Sequence, residues 1–381
     1  MRIGIDYTAA VKQGGGIARY TRHLVRALSA VTAEHSLRLF VAGGWGQGDG
    51  QGAWPNHVSI RSVPISDRWL SILWQRLRLP VPIQMVTGGL DLFHSPDFVL
   101  PPVGRTPAIL TVHDLSFLRV PQFFVPGFCE YLSQAVARAV DRAHQILADS
   151  ESTKRDLVEL MAVSPERIHV VYPGVEERFR PVVDQPVLDS VRQRYCLPER
   201  FVLGLSTLQP RKNFDGLVAA FGRMLQEYRG EPALDDLDLV IAGGKGWMVE
   251  DLQKQVADAG LLERVHFCGY VQDQDLPALY TLASVFAFPS WYEGFGIPVV
   301  EAMACGTPVV SADNSSLPEA AGDAGLLVDA GDIDGWAVSM WRLVADEELR
   351  GLLIDAGREQ AKRFRWEKAA SQVLQVYEQF A

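Results

Sequence analysis

Short β-branched and apolar runs alternate along this chain with longer segments whose apolar residues recur at three- and four-residue steps. The runs lie at 2–7, 37–41, 58–63, 90–94, 108–112, 145–148 and 168–172. They resume at 201–205, 237–242, 265–268, 285–288, 307–311 and 325–328. Strands that alternate with helical patterns predict parallel sheets with crossover helices. Tyr172-Pro173-Gly174-Val175 interrupts the series with a Pro/Gly turn, and 381 residues exceed what one core usually holds. The chain is therefore read as α/β, with two Rossmann-like, doubly wound parallel-sheet domains, the first over 1–174 and the second over 175–365. The last segment, 366–381, places Trp366, Ala370, Val373, Tyr377 and Phe380 on one helical face. The glycine-rich stretch 42–52 reads as a loop.

Ligands of doubly wound sheets bind beyond the carboxyl ends of the strands, and the polar candidates fall there. The stretch 289–308, PSWYEGFGIPVVEAMACGTP, sets Glu293 and Glu301 around Gly294, Gly296 and Pro298. Proline suits a helix start and Gly306-Thr307-Pro308 supplies the stop, so a helix of about two turns is predicted. Glu293 is expected in the preceding loop and Glu301 in the first turn. The glycines let backbone approach a ligand closely, and helix N-terminal N–H groups attract oxygen-rich groups; the plainer reading is acidic charge at a helix start. Gly14, Gly15 and Gly16 precede a helix with the apolar face Ile17, Tyr20, Leu24 and Leu28. That loop can offer N–H groups to a phosphate, or serve only as a flexible turn. Arg19 stands where G-x-G-x-x-G would end, which disfavours a dinucleotide-binding dehydrogenase. Arg211 and Lys212 follow the strand at 201–205 as a planar fork and a point charge, suited to a diphosphate or simply solvated. His113 follows 108–112, and Asp114 either orients its ring or caps the next turn.

Taken together these segments resemble the family 4 retaining glycosyltransferases (glycosyl transferases group 1) of GT-B fold. The resemblance is carried by Gly14-Gly15-Gly16, Val112-His113-Asp114, Pro210-Arg211-Lys212-Asn213, Ala242-Gly243-Gly244 and the block 293–310 with its E-x7-E motif, in that order. It implies two domains facing across a cleft, an acceptor-side 1–174 joined by a crossover helix 366–381, and a nucleotide-sugar-binding 175–365. It implies a catalytic set of His113, Glu293, Arg211 and Lys212. The implied donor pocket comprises Gly14, Gly15, Gly16, Gly243, Gly244, Lys245, Tyr270, Val271, Gly294, Phe295, Gly296 and Glu301. In that picture His113 bonds a hydroxyl of the transferred sugar, Glu293 the donor-sugar hydroxyls, Glu301 the two ribose hydroxyls, and the 270–271 backbone reads the base. Many relatives carry a second arginine where this chain has Ser206 or Thr207, which leaves Arg211 to take over that contact.

The implied reaction is retaining transfer of a hexosyl group, mannosyl first, from a nucleotide diphosphate sugar to a hydroxyl of a glycan or lipid-linked acceptor. GDP-mannose is the first donor and a UDP-sugar the second; no cofactor and no metal are expected. Three D-x-D runs, Asp236-Leu237-Asp238, Asp273-Gln274-Asp275 and Asp332-Ile333-Asp334, suit a metal-bound donor, but Arg211 and Lys212 already offer a diphosphate its counter-charge. A nucleotide-sugar epimerase of the same fold and a non-catalytic nucleotide-binding protein are the alternatives.

A hydrophobic content of 48% and a charged content of 22% are those of a soluble globular protein. The start, MRIGIDYTAA, does not read as a secretory signal, and no apolar run has the length of a membrane span. Four widely spaced cysteines suit reduced thiols, so a cytoplasmic protein is expected. Residues 1–180 carry 19 Lys and Arg against 16 Asp and Glu, whereas 181–381 carry 17 against 30. The basic half either faces something anionic or reflects surface drift, and no nucleic-acid partner is expected. Within that half, 67–79 (DRWLSILWQRLRL) reads as a helix capped by Asp67 and stopped by Pro80, with Trp69, Leu70, Ile72, Leu73, Trp74 and Leu77 beside Arg68, Arg76 and Arg78. Tryptophans with arginines suit a headgroup interface, which would make the protein peripheral at the inner membrane face. The alternatives are a helix packed on the sheet and a subunit contact.

Overall fold

The computed structural model describes residues 1–381 apart from 13, 46–53, 78, 245, 247 and 248. Lys245, Arg78 and most of the loop at 42–52 thus lie outside the described residues. The chain divides into two compact units, Met1–Gly174 with Arg365–Ala381, and Val175–Phe364.

In the first unit seven parallel strands run in the order β3-β2-β1-β4-β5-β6-β7. They are β1 (Arg2–Asp6), β2 (Ser36–Ala42), β3 (Val58–Val63), β4 (Leu92–Ser95), β5 (Ala108–Val112), β6 (Gln145–Ala148) and β7 (Ile168–Val170). The second unit has six, in the order β10-β9-β8-β11-β12-β13: β8 (Arg200–Leu205), β9 (Leu237–Ala242), β10 (Val265–Gly269), β11 (Val285–Phe288), β12 (Val309–Ala312) and β13 (Leu326–Val328). Helices cover both faces of such sheets, so β5, β11 and β12 are buried at every position and read as unbroken apolar runs.

Strand order reverses beside β1, which lies between β2 and β4, and beside β8, which lies between β9 and β11. There the connections leave in opposite directions, and a crevice opens at the carboxyl ends. Each unit therefore presents one natural place for a ligand.

The helix Trp366–Glu378 belongs to the core of the first unit. Trp366, Ala370, Val373 and Tyr377 pack inward with Tyr20, Leu24 and Leu28 of the helix Gly16–Val31. Gly174 sits where the chain comes back: a Cβ there would lie 2.2 Å from the Trp366 backbone nitrogen. Beneath this helix His94 is wholly buried, with Nδ1 2.6 Å from the Tyr377 hydroxyl and Nε2 2.8 Å from Thr111 Oγ1. Burial, with the nearby His113 charge, pushes His94 down to about 3 and leaves it neutral.

The segment at 67–79 differs from its expectation. It is an α-helix only over Asp67–Ser71, then widens into a π turn over Ile72–Arg76 closed by Leu77 N–H to the Ile72 carbonyl at 2.9 Å. Ser66, not Asp67, holds the N-cap position; Asp67 is the first helical residue and its Oδ1 accepts from Arg68 N. Leu70, Leu73 and Trp74 pack on the core, while Trp69 and Leu77 are 62% and 60% exposed. A regular 3.6-residue periodicity could not show this division, because the wider turn shifts the register midway.

Candidate active site

In the second unit the residues after β8 and β11, the two strands that flank the crevice, are latched together. Pro210–Lys212 form one 3₁₀ turn, and Asn213 follows in the left-handed region at φ 56°, which asparagine tolerates. Asn213 Nδ2 donates to the carbonyls of Pro289 (3.1 Å) and Ala330 (2.7 Å), and Trp291 N donates to the Arg211 carbonyl (2.9 Å). This places Lys212 Nζ 2.5 Å from Glu293 Oε1 and Arg211 Nη1 3.2 Å from Glu293 Oε2; Arg211 also donates to the Tyr292 carbonyl. Lys212 Nζ lies 5.7 Å from the Phe288 ring centroid, a cation–π distance. Burial opposes charge on Glu293, but Lys212 and Arg211 outweigh it and hold the carboxyl at about 2, ionised at any neutral pH.

The Glu293 backbone is gripped by the loop after β12. Ser315 Oγ accepts from Glu293 N (3.0 Å), Ser316 Oγ donates to its carbonyl (2.9 Å), and Asn314 Nδ2 donates to the Ser290 carbonyl (3.0 Å). Asn213 was legible in sequence only as the end of the Pro210–Asn213 motif, with no role of its own, and Asn314, Ser315 and Ser316 were missed, since in sequence they look like ordinary turn and cap residues.

The helix Ile297–Ala304 begins at Gly296, whose φ of 100° excludes a side chain; a Cβ would meet Leu317 Cδ2 at 2.6 Å. Pro298 is near its start, as the sequence indicates, but Glu301 is the fifth helical residue and not in the first turn. It is 1% exposed, and its Oε2 accepts from the Tyr280 hydroxyl at 3.0 Å. Gly294 and Phe295 complete the loop, Phe295 buried against Phe364.

Beyond β9, Gly243 (φ 143°) crosses so close to Ser206 that a Cβ would lie 1.8 Å from its carbonyl oxygen. Gly243 N donates to the Gly269 carbonyl (2.8 Å) and Leu208 N to the Gly244 carbonyl (3.1 Å), which ties the loops after β8, β9 and β10 together. After β10, Tyr270 is exposed and Val271 buried.

In the first unit, Gly14, Gly15 and Gly16 follow β1 and open the helix Gly16–Val31. None has a positive φ, and a Cβ on any of them would meet nothing within 4 Å. The fold itself therefore gives no steric reason for three glycines. Tyr20 of that helix stands edge-on to His113, with ring centroids 4.7 Å apart.

His113 is buried, with Nδ1 2.7 Å from Asp149 Oδ2 and Nε2 3.1 Å from the Pro96 carbonyl. Burial disfavours the charged ring, but the Asp149 carboxylate and its hydrogen bond prevail, with Asp97 and the Pro96 carbonyl assisting, and raise His113 to about 9. The ring is thus an imidazolium that donates from both nitrogens. Of the two readings for Asp114, the structure shows the cap: its Oδ1 accepts from Ser116 N (2.9 Å) and Ser116 Oγ (2.7 Å). Asp149 orients the ring instead. Register accounts for this, since β5 and β6 pair Val112 with Ala148 and so set 113 beside 149.

Five of the six D-x-D carboxylates have other partners. Asp236 pairs with Arg200, Asp238 with Arg264 and His266, Asp275 with Arg194 and Asp334 with Arg223, while Asp332 caps the helix that follows it.

Two Rossmann-like units with parallel sheets of seven and six strands are the architecture of the GT-B fold. The family model for Glycosyltransferase Family 4 matches residues 14–179 and that for Glycosyl transferases group 1 matches 194–360. The chain belongs to this family and is a glycosyltransferase. It is 30% identical over 376 residues to the O-antigen chain mannosyltransferase B of Escherichia coli, which covers 95% of each chain. Two solved structures share the fold. Sucrose-phosphate synthase of Thermosynechococcus elongatus has a TM-score of 0.76 at 22% identity over 100% of this chain and 98% of that one. HepE of Anabaena in complex with UDP-glucose has a TM-score of 0.74 at 18% identity over 100% of both.

Proposed function

We propose that the protein transfers a mannosyl group from GDP-mannose to a hydroxyl of a glycan or lipid-linked acceptor, with retention at the anomeric carbon and without a metal ion. The observation that carries this is the convergence of Lys212 and Arg211 on Glu293 at the β8/β11 reversal. Two fixed cations balanced by one carboxylate leave a net positive charge where a diphosphate departs, and preorganised charge of that kind is the main catalytic device for such a step. As the donor C1–O bond breaks, a diphosphate oxygen takes the proton of the acceptor hydroxyl, and the acceptor oxygen bonds C1 on the same face.

Glu293 orients both cations and receives donor-sugar hydroxyls, and Glu301 receives those of the ribose. Backbone N–H groups of 294–296, the 243–244 loop and Tyr270-Val271 take the remainder of the nucleotide sugar. Domain 1–174 with helix 366–381 is the acceptor side; Gly14–Gly16 contribute N–H groups to the diphosphate. His113, held as a cation by Asp149, turns its Nε2 hydrogen from Pro96 to a sugar hydroxyl. A mannosyl donor is favoured by the relative at 30% identity, which is a mannosyltransferase; a UDP-sugar is the second choice, the fold neighbour HepE having been solved with UDP-glucose. Work on a lipid-linked acceptor at the cytoplasmic membrane face would use the exposed side of 67–79.

The test is incubation with a panel of nucleotide sugars and acceptor glycans, reading nucleotide release and the anomeric configuration of the product. Retained configuration with GDP-mannose, undiminished by a chelator, is the expected result. Inversion, turnover of UDP-sugars alone, or loss on chelation with rescue by manganese would each overturn the corresponding part.

A further inference from the structure

Among the described residues four that are not glycine have a positive φ: Ala162, Cys196, Asn213 and Ser315. Ala162 and Cys196 turn the chain just after the helices Glu151–Met161 and Gln185–Arg194, where this conformation is common. Asn213 and Ser315 close no α-helix, and both lie at the Glu293 site. Asparagine tolerates the left-handed region, and Asn213 latches the loops after β8 and β11. Serine has no such preference: at φ 49° its Cβ crowds the following carbonyl oxygen, whereas a glycine there would be unstrained. A residue held in this way beside a reacting centre points to something its side chain does.

Ser315 lies in the loop between β12 and the helix Leu317–Ala321. Its Oγ donates to Asn314 Oδ1 at 3.0 Å, which leaves a lone pair for the Glu293 N–H, also at 3.0 Å. Asn314 in turn holds the Ser290 carbonyl and Ser316 the Glu293 carbonyl, so the turn from 290 to 293 is tied at both ends. The carboxylate carried by that turn meets Lys212 and Arg211. Without Ser315 Oγ, the peptide before Glu293 loses the bond that fixes its plane, and the carboxylate loses its placement with it. We propose that Ser315 is a positioning residue for the transfer reaction: its strained backbone sets a hydroxyl on the Glu293 N–H and so fixes the carboxylate that orders both cations and meets the donor sugar. The proposal rests on the reading of Glu293 as that carboxylate. A shift of about 1 Å in such a group is enough to slow a reaction severely, which is the physical reason to tolerate strain in the loop that holds it.

Ser315→Gly and Ser315→Ala in the full-length protein test it, because both remove the hydroxyl and only alanine keeps the strain. With GDP-mannose, or the UDP-sugar that turns over in its place, each should lower kcat roughly fivefold to tenfold, the effect of one lost hydrogen bond. The Kd of the free nucleoside diphosphate should stay within about twofold of wild type, since the nucleotide does not depend on Glu293. Thermal melts should place the alanine variant about 2–4 °C below the glycine variant, so that stability and rate part company. Ser315→Gly combined with Glu293→Gln should be slower than Glu293→Gln alone by less than about twofold, because Ser315 acts through Glu293. A Ser315→Gly enzyme with wild-type kcat overturns the proposal, as does a loss that follows stability, with alanine slow and glycine fast. An undiminished loss in the Glu293→Gln background overturns it too. If Glu293→Gln alone turns over as fast as wild type, the reading of Glu293 itself fails and takes the proposal with it, an outcome that the Ser315 variants by themselves cannot produce.

Discussion

Lys212 and Arg211 are the residues on which the proposed chemistry leans most. Replacing either by alanine should remove a charge-assisted hydrogen bond to the diphosphate, about 1.5–3 kcal/mol, and slow transfer about 10- to 150-fold by the rate arithmetic. Steady-state kinetics check this, and full activity in both variants would place the diphosphate elsewhere. Glu293→Gln leaves the two cations buried without their counter-charge, so the second unit should lose about 3 kcal/mol in urea melts along with activity. The two buried ion pairs also set opposite pH dependences. Glu293 lies below its ordinary 4.5, at about 2, so its stabilisation is complete above 4.5 and disappears as pH falls through 2. His113 lies above its ordinary 6.5, at about 9, so its stabilisation is complete below 6.5 and disappears as pH rises through 9. Stability of the first unit should therefore decline between pH 6.5 and 9, and Asp149→Asn should flatten that slope. An unchanged slope in the variant would mean that Asp149 does not hold the proton on His113.

At the scale of elements, two kinds of glycine can be told apart. Gly243 is demanded by the fold, since at φ 143° with the Ser206 carbonyl 1.8 Å from a would-be Cβ no side chain fits. Gly243→Ala should cost about 2–3 kcal/mol of stability as well as donor affinity. Gly15, at φ −94° with open space around it, is not. Gly15→Ala should change stability by less than about 0.5 kcal/mol yet reduce transfer if, as proposed, this loop offers its N–H groups to the donor diphosphate. Calorimetry paired with kinetics separates the cases, and an active Gly15→Ala would remove the phosphate role of this loop.

For the whole molecule the decisive element is the helix Trp366–Glu378, which comes last in the chain and completes the core that the first 174 residues begin. Tyr377→Phe leaves Nδ1 of the neutral, buried His94 without its partner, while Nε2 keeps Thr111, and should cost about 1–3 kcal/mol. Deleting 366–381 uncovers Tyr20, Leu24 and Leu28, so the first unit should become protease-sensitive while the second resists. Equal resistance of both units would show that the helix is dispensable.

Much of this was legible in the sequence. Central strands such as β5, β11 and β12 are readable because strands buried on both faces must be apolar throughout, the edge strand β3 by its alternating β-branched positions, and a proline and glycine at 173–174 mark the turn where one sheet ends. Arg211, Lys212 and Glu293 stand out as candidates only through the motifs they share with the family, since by themselves two cations and a carboxylate after strand ends are as readily solvated charge. What their charges do to one another was not legible, because Glu293 lies 81 residues from Lys212 and only the reversal of strand order beside β8 brings them together. Asp149 was hidden for the same reason: strand register sets it beside His113, whereas sequence adjacency favours Asp114. Local pattern determined the elements and the candidate chemistry. Tertiary structure decided the partners, because pairing energies depend on distance through space and a sequence records only distance along the chain.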